Sequence, residues 1–365
     1  MGERTRTRAI VVPRAIAARL ASRPAKGPVR RVVVAHNLLL GDTLMLTPLL
    51  AKLRRQLPEA EVTLLAAPAF VPLYASRPYG VRALAFSPSR SETTRALMGE
   101  GPFDLGIVVG DNRYSWVAAA MRARHIVAHA GPRPLTQEWF VDEKHPYPAT
   151  PAAWGDMVAD LVDGPPPPPY ARGDWPEPPA APFETPTGRY AVLHVGASTP
   201  LKFWRPERWN ALALWLRNRG VEPIWSGGPG EEAFVRECDP DGRHRSYAGQ
   251  LDLAQMWRLL SGAALLVAPD TGIAHLGRAT WTPTVALFGP GSAILAGLGD
   301  FWRNTPWHPV TEDPFPCRDQ RLLFGRQVDW VRRCRRTLAE CPAPRCMDAI
   351  DLGRVQITAD RLLAG

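Results

Sequence analysis

The chain has 365 residues, a length that predicts two domains and is ample for a full hydrophobic core, while 45% hydrophobic and 22% charged residues exclude collagen-like and wholly disordered classes. The formal charge of +9 is uneven: up to Arg31 there are eight arginines and Lys26 against the single acid Glu3, so the remainder is close to neutral and a nucleic-acid binder with basic stripes across folded domains is excluded. Proline is the compositional outlier, with 39 residues, about twice ordinary usage.

Residues 1–30 form a basic arm without an apolar stretch and cleavage site, so they do not read as a secretory signal. The arm is expected to be a disordered leader or a contact for an anionic membrane surface, and its removal is expected to leave the fold unchanged. Residues 31–164 read as a first domain, with strands at 31–36, 61–66 and 104–109 and with Leu46, Leu49, Leu50, Leu53 and Leu57 at helical spacing. Residues 165–186 hold ten prolines, beginning PPPPPY, and predict an extended, semi-rigid linker.

Residues 187–350 read as a second domain, in which strands at 190–194, 221–225, 264–268 and 284–288 alternate with helices around 208–219, 231–238 and 253–261. Residues 351–365 predict a C-terminal helix. The alternation implies an α/β chain of two Rossmann-like, doubly wound parallel-sheet domains facing across a cleft, with ligands beyond the carboxyl ends of the strands. No window of about 20 apolar residues occurs, so no transmembrane helix is expected. Five cysteines, an odd number in a large chain, point to a reducing cytoplasm.

Four segments can carry chemistry. The first is AHNLLLGDTLMLTP, where Gly41 permits a tight turn and Asp42 is either a helix cap or a carboxylate placed to take a proton from a hydroxyl. Pro48 is awkward inside a helix, so the helix is expected to kink or to restart with Thr47 as N-cap. The second is HVGASTPLKFWRPERW: Gly196, Ala197 and Ser198 make a small-residue turn whose amides can face an anion, and Lys202 is either solvated surface or a phosphate ligand.

The third, SGGPGEE, sets Gly227, Gly228 and Gly230 after a strand, with Glu231 and Glu232 as acids for ribose hydroxyls or merely for the helix dipole. It does not match the dinucleotide fingerprint. The fourth is APDTGIAHLGRA, where a buried strand ends at Asp270, Thr271 and Gly272 form the turn, and His275 lies one helical turn after Thr271 so that both can face one diphosphate.

Taken in order, LGDTLMLTPLLAKLRRQLPEAEVTLL, HVGASTPLKFWRPERW, SGGPGEE, DTGIAHLGRA, PTVALFGP and CMDAI resemble glycosyltransferase family 9, the ADP-heptose:lipopolysaccharide heptosyltransferases. The resemblance implies a GT-B fold, with an acceptor-binding first domain and a nucleotide-sugar-binding second domain. It also implies an inverting, metal-independent transfer of a heptose or related sugar from a nucleotide-sugar donor, ADP-heptose, to a lipopolysaccharide core or related lipid-linked glycan acceptor.

By the same resemblance, Asp42 is the catalytic base with Gly41 on the acceptor side. Gly196, Ser198, Lys202, Gly228, Glu231, Asp270, Thr271, Gly272 and His275 form the donor pocket, and no cofactor or metal is called for. Lys202, Thr271 and helix N-terminal amides would stabilise the departing diphosphate, and domain closure is expected to precede chemistry. The expected protein is a cytoplasmic monomer, peripheral on the inner membrane and without a nucleic-acid partner.

Two other readings share the architecture: a sugar-nucleotide epimerase and an inactive glycan-binding homologue. In the tail, Cys317, Cys334, Cys341 and Cys346 read as free thiols or, lacking close pairs, as an unusual zinc set. Arg332, Arg333, Arg335 and Arg336 read as solvated helix surface or as a face for a phosphorylated acceptor or a membrane.

Overall fold

In the computed structural model, residues 2–21, 27–131 and 134–365 are described. They form two units, Met1–Pro168 with Leu322–Trp330, and Pro169–Arg321 with Val331–Gly365.

The first unit holds six parallel strands, β1 (Arg31–Ala35), β2 (Glu61–Ala66), β3 (Arg82–Ala85), β4 (Phe103–Val108), β5 (Ala123–His129) and β6 (Glu143–His145), in the order β3-β2-β1-β4-β5-β6. Val32 of β1 aligns with Val62 on one side and Leu105 on the other. Such a strand, covered on both faces, is apolar after its first residue, as in RVVVA. The order reverses between β1 and β4, and the loop after β1 leads into α2 (Leu40–Leu44) and α3 (Thr47–Gln56). Thr47 opens α3 but is not its N-cap; Leu46 is, and the Thr47 hydroxyl donates back to the Leu44 carbonyl. Pro48 sits in the first turn, where its missing N–H has no intrahelical acceptor to lose.

Most of the basic arm is a helix, α1 (Glu3–Ala21), while residues 27–30 are irregular. Thr7, Val11 and Ala15 are buried, with Val11 and Ala15 in one core cluster with Val117, Ala118, Phe140 and Val141. Both the Ser91 amide and hydroxyl donate to Glu3, and Arg19 pairs with Asp142 at 2.7 Å. An arm expected as a leader is therefore a packed element of the first unit, because three residues at spacing four give it a stripe to bury. Four further helices complete the unit: α4 (Ser91–Leu97), α5 (Ser115–Ala120), α6 (Leu135–Glu138) and α7 (Trp154–Ala159).

The second unit has five parallel strands, β7 (Tyr190–His194), β8 (Glu222–Ser226), β9 (Leu265–Pro269), β10 (Thr284–Phe288) and β11 (Trp307–Thr311), in the order β11-β10-β9-β7-β8. The reversal here lies between β7 and β9, paired through Val192↔Leu266. Around the sheet run α8 (Pro206–Arg217), α9 (Glu232–Cys238), α10 (Leu253–Ser261) and α11 (Gly272–Ala279), then α12 (Arg345–Asp348) and α13 (Leu352–Ala364). Val355 and Ala359 of α13 lie in the same core as Leu193, Val267 and Leu287, so the C-terminal helix is integral to this unit.

The proline-rich stretch belongs to the second unit from Pro169 onward. Tyr170 is fully buried and donates its hydroxyl to the Ala279 carbonyl, while Trp175 packs on Trp257. Its extended form serves as a surface strap on that unit. Beyond it, the two-residue strands β12 (Leu322–Leu323) and β13 (Arg326–Gln327) lie in the segment that returns to the first unit. Residues 331–336 are not helical, contrary to expectation: Arg336 pairs with Asp319 at 2.8 Å and donates to the Cys317 carbonyl at 2.6 Å, which fixes an irregular loop. No helix is long and apolar enough to cross a membrane among the described residues.

Candidate active site

The second unit gathers its candidate residues at the carboxyl ends of β7, β8, β9 and β10, around the strand-order reversal where open parallel sheets bind ligands. After β7 the chain passes Gly196 and exposed Ser198 and makes a 3₁₀ turn, Pro200–Lys202, started by the Thr199 side chain accepting from the Leu201 amide. This turn aims Lys202 at the end of β9. Its ammonium donates to the Asp270 carbonyl at 2.6 Å and to Asp270 Oδ2 at 3.0 Å. On the other side His275 Nε2 lies 3.8 Å from Asp270 Oδ1.

Burial alone would raise the Asp270 pKa, but the Lys202 ammonium and the His275 ring outweigh it and hold the carboxyl well below the usual carboxylate range. Burial, with Arg278 adding to it against the pull of Asp270, brings His275 down to about 4, so the ring is neutral at pH 7.

Thr271 is the N-cap residue of α11, with extended backbone, yet its hydroxyl caps nothing. Thr271 Oγ1 and His275 Nδ1 are both buried without a hydrogen-bond partner. Buried polar atoms are nearly always satisfied, so these two, side by side at one helix start, have room to bond a further group or water. The first amides of α11, beginning at Gly272, have no intrahelical acceptor and add a partial positive charge there. Together with Lys202 they present donors and positive potential, the chemistry that suits an anion.

Glu231 joins the second set of residues. One of its oxygens accepts from the Ala197 amide at 2.9 Å, and the other from the Gly228 amide at 2.5 Å, so the carboxylate ties the loops after β7 and β8 together. A Cβ at Gly196 would stand 1.7 Å from Glu231 Oε2, which explains the glycine without appeal to a ligand. Glu232 points elsewhere: it accepts from the Gly230 amide and fills the space in front of Gly249. Of the two acids, Glu231 is therefore the one inside the loop cluster.

In the first unit, Gly41 and Asp42 lie in α2, directly after β1 and at that sheet's own reversal. The N-cap of α2 is Leu39 and Asp42 falls within the first turn, half-buried, so it is not the cap. His36, at the end of β1, is buried and brought down to about 3 by desolvation, and its Nδ1 accepts from the Leu38 amide.

Sequence reasoning missed Gly291. A Cβ there would come within 2.4 Å of Asp270 Oδ2, so the loop after β10 closes on the Asp270 carboxylate only because residue 291 has no side chain. The GPG after a buried strand was the available signal. Likewise Gly289 leaves room for Met347 and Cys346, so the CMDAI segment packs against the same loop, and Ile350 accepts from Trp204 Nε1 at 2.8 Å. The cysteines are free thiols, and no group of three or more histidine, cysteine or acidic side chains is placed to hold a metal among the described residues.

A family model described as glycosyltransferase family 9 (heptosyltransferase) matches residues 94–307, more than half of the chain and a stretch that begins after Asp42. The lipopolysaccharide heptosyltransferase 1 of Salmonella typhimurium is 30% identical over 139 residues, which cover 38% of this chain and 43% of that one. The matched stretch is thus less than half the length of that relative. Among solved structures, the glycosyl transferase family 9 protein of Veillonella parvula DSM 2008 superposes with a TM-score of 0.73 at 17% identity, over 94% of this chain and 99% of that one. The E. coli ADP-heptose lps heptosyltransferase II superposes with a TM-score of 0.68 at 17% identity, over 92% and 98%. The two parallel-sheet domains accordingly have the GT-B fold.

Proposed function

This chain belongs to glycosyltransferase family 9, and on that premise we propose that it moves a heptose or related sugar from a nucleotide-sugar donor, ADP-heptose, to a lipopolysaccharide core or related lipid-linked glycan. The observation that carries the reading is the cluster of Lys202, Asp270 and His275 at the start of α11, with two buried polar atoms left unpaired. A nucleoside diphosphate supplies acceptor oxygens of the right charge for Lys202, the Thr271 hydroxyl and the α11 amides.

As the bond from sugar to diphosphate breaks, negative charge grows on the leaving group, and donors already fixed in place stabilise it without a metal ion. Neutral His275 offers a ring nitrogen as a further hydrogen-bond partner. Asp270 holds Lys202 in position and reaches the sugar; Gly196, Ser198, Gly228 and Glu231 shape the nucleoside end. Asp42 takes the proton of the attacking acceptor hydroxyl, so the sugar is attacked opposite the leaving group and its anomeric centre inverts. The enzyme works as a monomer at the cytoplasmic face of the membrane that carries its acceptor.

The test is transfer from ADP-heptose to a delipidated core acceptor, followed as ADP release. Asp42→Asn is expected to lower turnover at least about 100-fold while ADP affinity stays within twofold, whereas Lys202→Met weakens ADP binding about tenfold or more. Nucleotide released at equal rates with and without acceptor would overturn the transferase reading in favour of an epimerase. Unchanged turnover in Asp42→Asn would remove the base.

A further inference from the structure

The outward face of α1 carries aliphatic side chains that lie outside the core cluster of the first unit. Its inward residues, Thr7, Val11 and Ala15, are buried. One row away, Val12, Ile16 and Leu20 follow at spacing four and are 38%, 41% and 84% exposed. Single exposed aliphatic residues are ordinary, but three aligned on one helix make a stripe, part-exposed at Val12 and Ile16 and open to water at Leu20. Arg8 continues the row by one turn, and Arg4, Arg6, Arg14 and Arg19 are exposed on the same helix.

The only acid of α1, Glu3, is taken up by the Ser91 amide and hydroxyl and by Arg6, so the solvent side offers arginines and aliphatic groups without a spare carboxylate. Arg8, which heads the apolar row, has no carboxylate partner among the described residues; Arg6 and Arg19 flank the row and pair with Glu3 and Asp142, and Arg14 lies on the far side of the helix. An apolar stripe bordered by arginine is the pattern of a helix that lies in the lipid–water interface. A second copy of this chain is a poor occupant, since stacking two such faces would bring arginine against arginine.

We propose that α1 seats the protein on an anionic lipid surface, with Val12, Ile16 and Leu20 entering the acyl boundary and the arginines holding the headgroups. This deepens the reading of a lipid-linked acceptor by naming the surface the enzyme works from. Binding to lipid does not itself depend on transfer, so either statement can fail alone.

Cosedimentation of the full chain is measured with vesicles of phosphatidylcholine and phosphatidylglycerol (3:1) and of phosphatidylcholine alone, across a salt series. The expected result is binding to the anionic vesicles that falls at least about tenfold in Val12→Gln/Ile16→Gln/Leu20→Gln even at low salt, with soluble-acceptor turnover unchanged. Leu20→Gln alone, at the most exposed position, is expected to lower binding measurably if the triple variant folds poorly. Binding by the triple variant equal to the parent would overturn insertion and leave only charge attraction. A parent that ignores vesicles but dimerises through the stripe would assign the face to a second copy and overturn the proposal. Vesicle binding by a parent that shows no transfer would sink the transferase reading and leave this one standing.

Discussion

Single residues decide the electrostatics of both sheets. Four buried histidines are held neutral chiefly by desolvation: His36 and His129 down to about 3, His194 and His275 down to about 4. In the unfolded chain each returns to about 6.5, so between there and the folded value the unfolded state binds more protons, and stability is lost as pH falls. Each such group contributes a slope of about 1.4 kcal/mol per pH unit in that window. The depressed carboxylates, Asp270 foremost, keep their contribution until much lower pH. Denaturation midpoints measured from pH 8 to pH 5 are therefore expected to drop steeply below about pH 6.5. His36→Gln, whose amide oxygen can still accept from the Leu38 amide, should flatten the slope by about one proton. An unchanged slope in that variant would show that His36 titrates normally. The grouping of Lys202, Asp270 and His275 was legible in the sequence, because polar groups stood out in the loops and turns that follow apolar strands. Gly291 was not, since its role is to leave a space.

Elements were legible where burial was two-sided. The strands β2, β7 and β10 match their sequence runs residue for residue, being apolar against both neighbours and both helix layers. Strands with polar or proline residues escaped: β5 opens with ARH, β6 reads EKH, and β11 carries Pro309, tolerated because an edge strand needs fewer ladder donors, whereas the apolar run of edge strand β8 was legible. Helix α1 escaped for another reason, as its arginines dominate the composition and hide the buried stripe at Thr7, Val11 and Ala15. Deleting residues 1–28 should therefore not be neutral. It uncovers the surface around Val117 and Phe140 and is expected to cost the first unit at least about 2 kcal/mol, read as a lower urea midpoint. A truncated chain as stable as the full one would return the arm to the status of a leader. At the loop after β10, Gly291→Ala is expected to push the Asp270 carboxylate away from Lys202 and to weaken ADP binding about tenfold, with a stability loss of about 1–3 kcal/mol for the overpacking. The residue does not have a positive φ, so backbone strain does not enter. Calorimetry beside thermal melts separates the two effects, and unaltered ADP affinity would detach Asp270 from the anion site.

At the scale of the whole molecule, chain order and spatial order part company after Arg321, where a stretch distant in sequence joins the first unit. Nothing in the pattern of residues 322–330 announces this, because the segment has only two-residue strands and is held by scattered side chains: Phe324 against Trp154, Trp330 donating to the Pro148 carbonyl, and above all Arg326. Arg326 is 1% exposed, and its guanidinium donates to the carbonyls of Gly110, Ala130, His129 and Phe324 and to Asn112 Oδ1. Gly131 is part of the same fit, since a Cβ there would meet the Arg326 stem at 2.2 Å. A planar fork with five donors can satisfy such a ring of acceptors, whereas an ammonium with three donors on a flexible stem cannot. Arg326→Leu would leave several buried oxygens without a partner and is expected to destabilise the first unit by roughly 3–5 kcal/mol. Arg326→Lys should recover less than half of that loss. Hydrogen exchange resolved by peptide supplies the check: amides of β4, β5 and the 322–330 segment should lose protection together in Arg326→Leu, while β7 and β9 of the second unit keep theirs. Protection lost equally in both units would mean that the segment serves the whole chain and not the first unit alone. A melting temperature within 1–2 °C of the parent, well below the shift that such a loss implies, would mean that the acceptors around Arg326 find water instead.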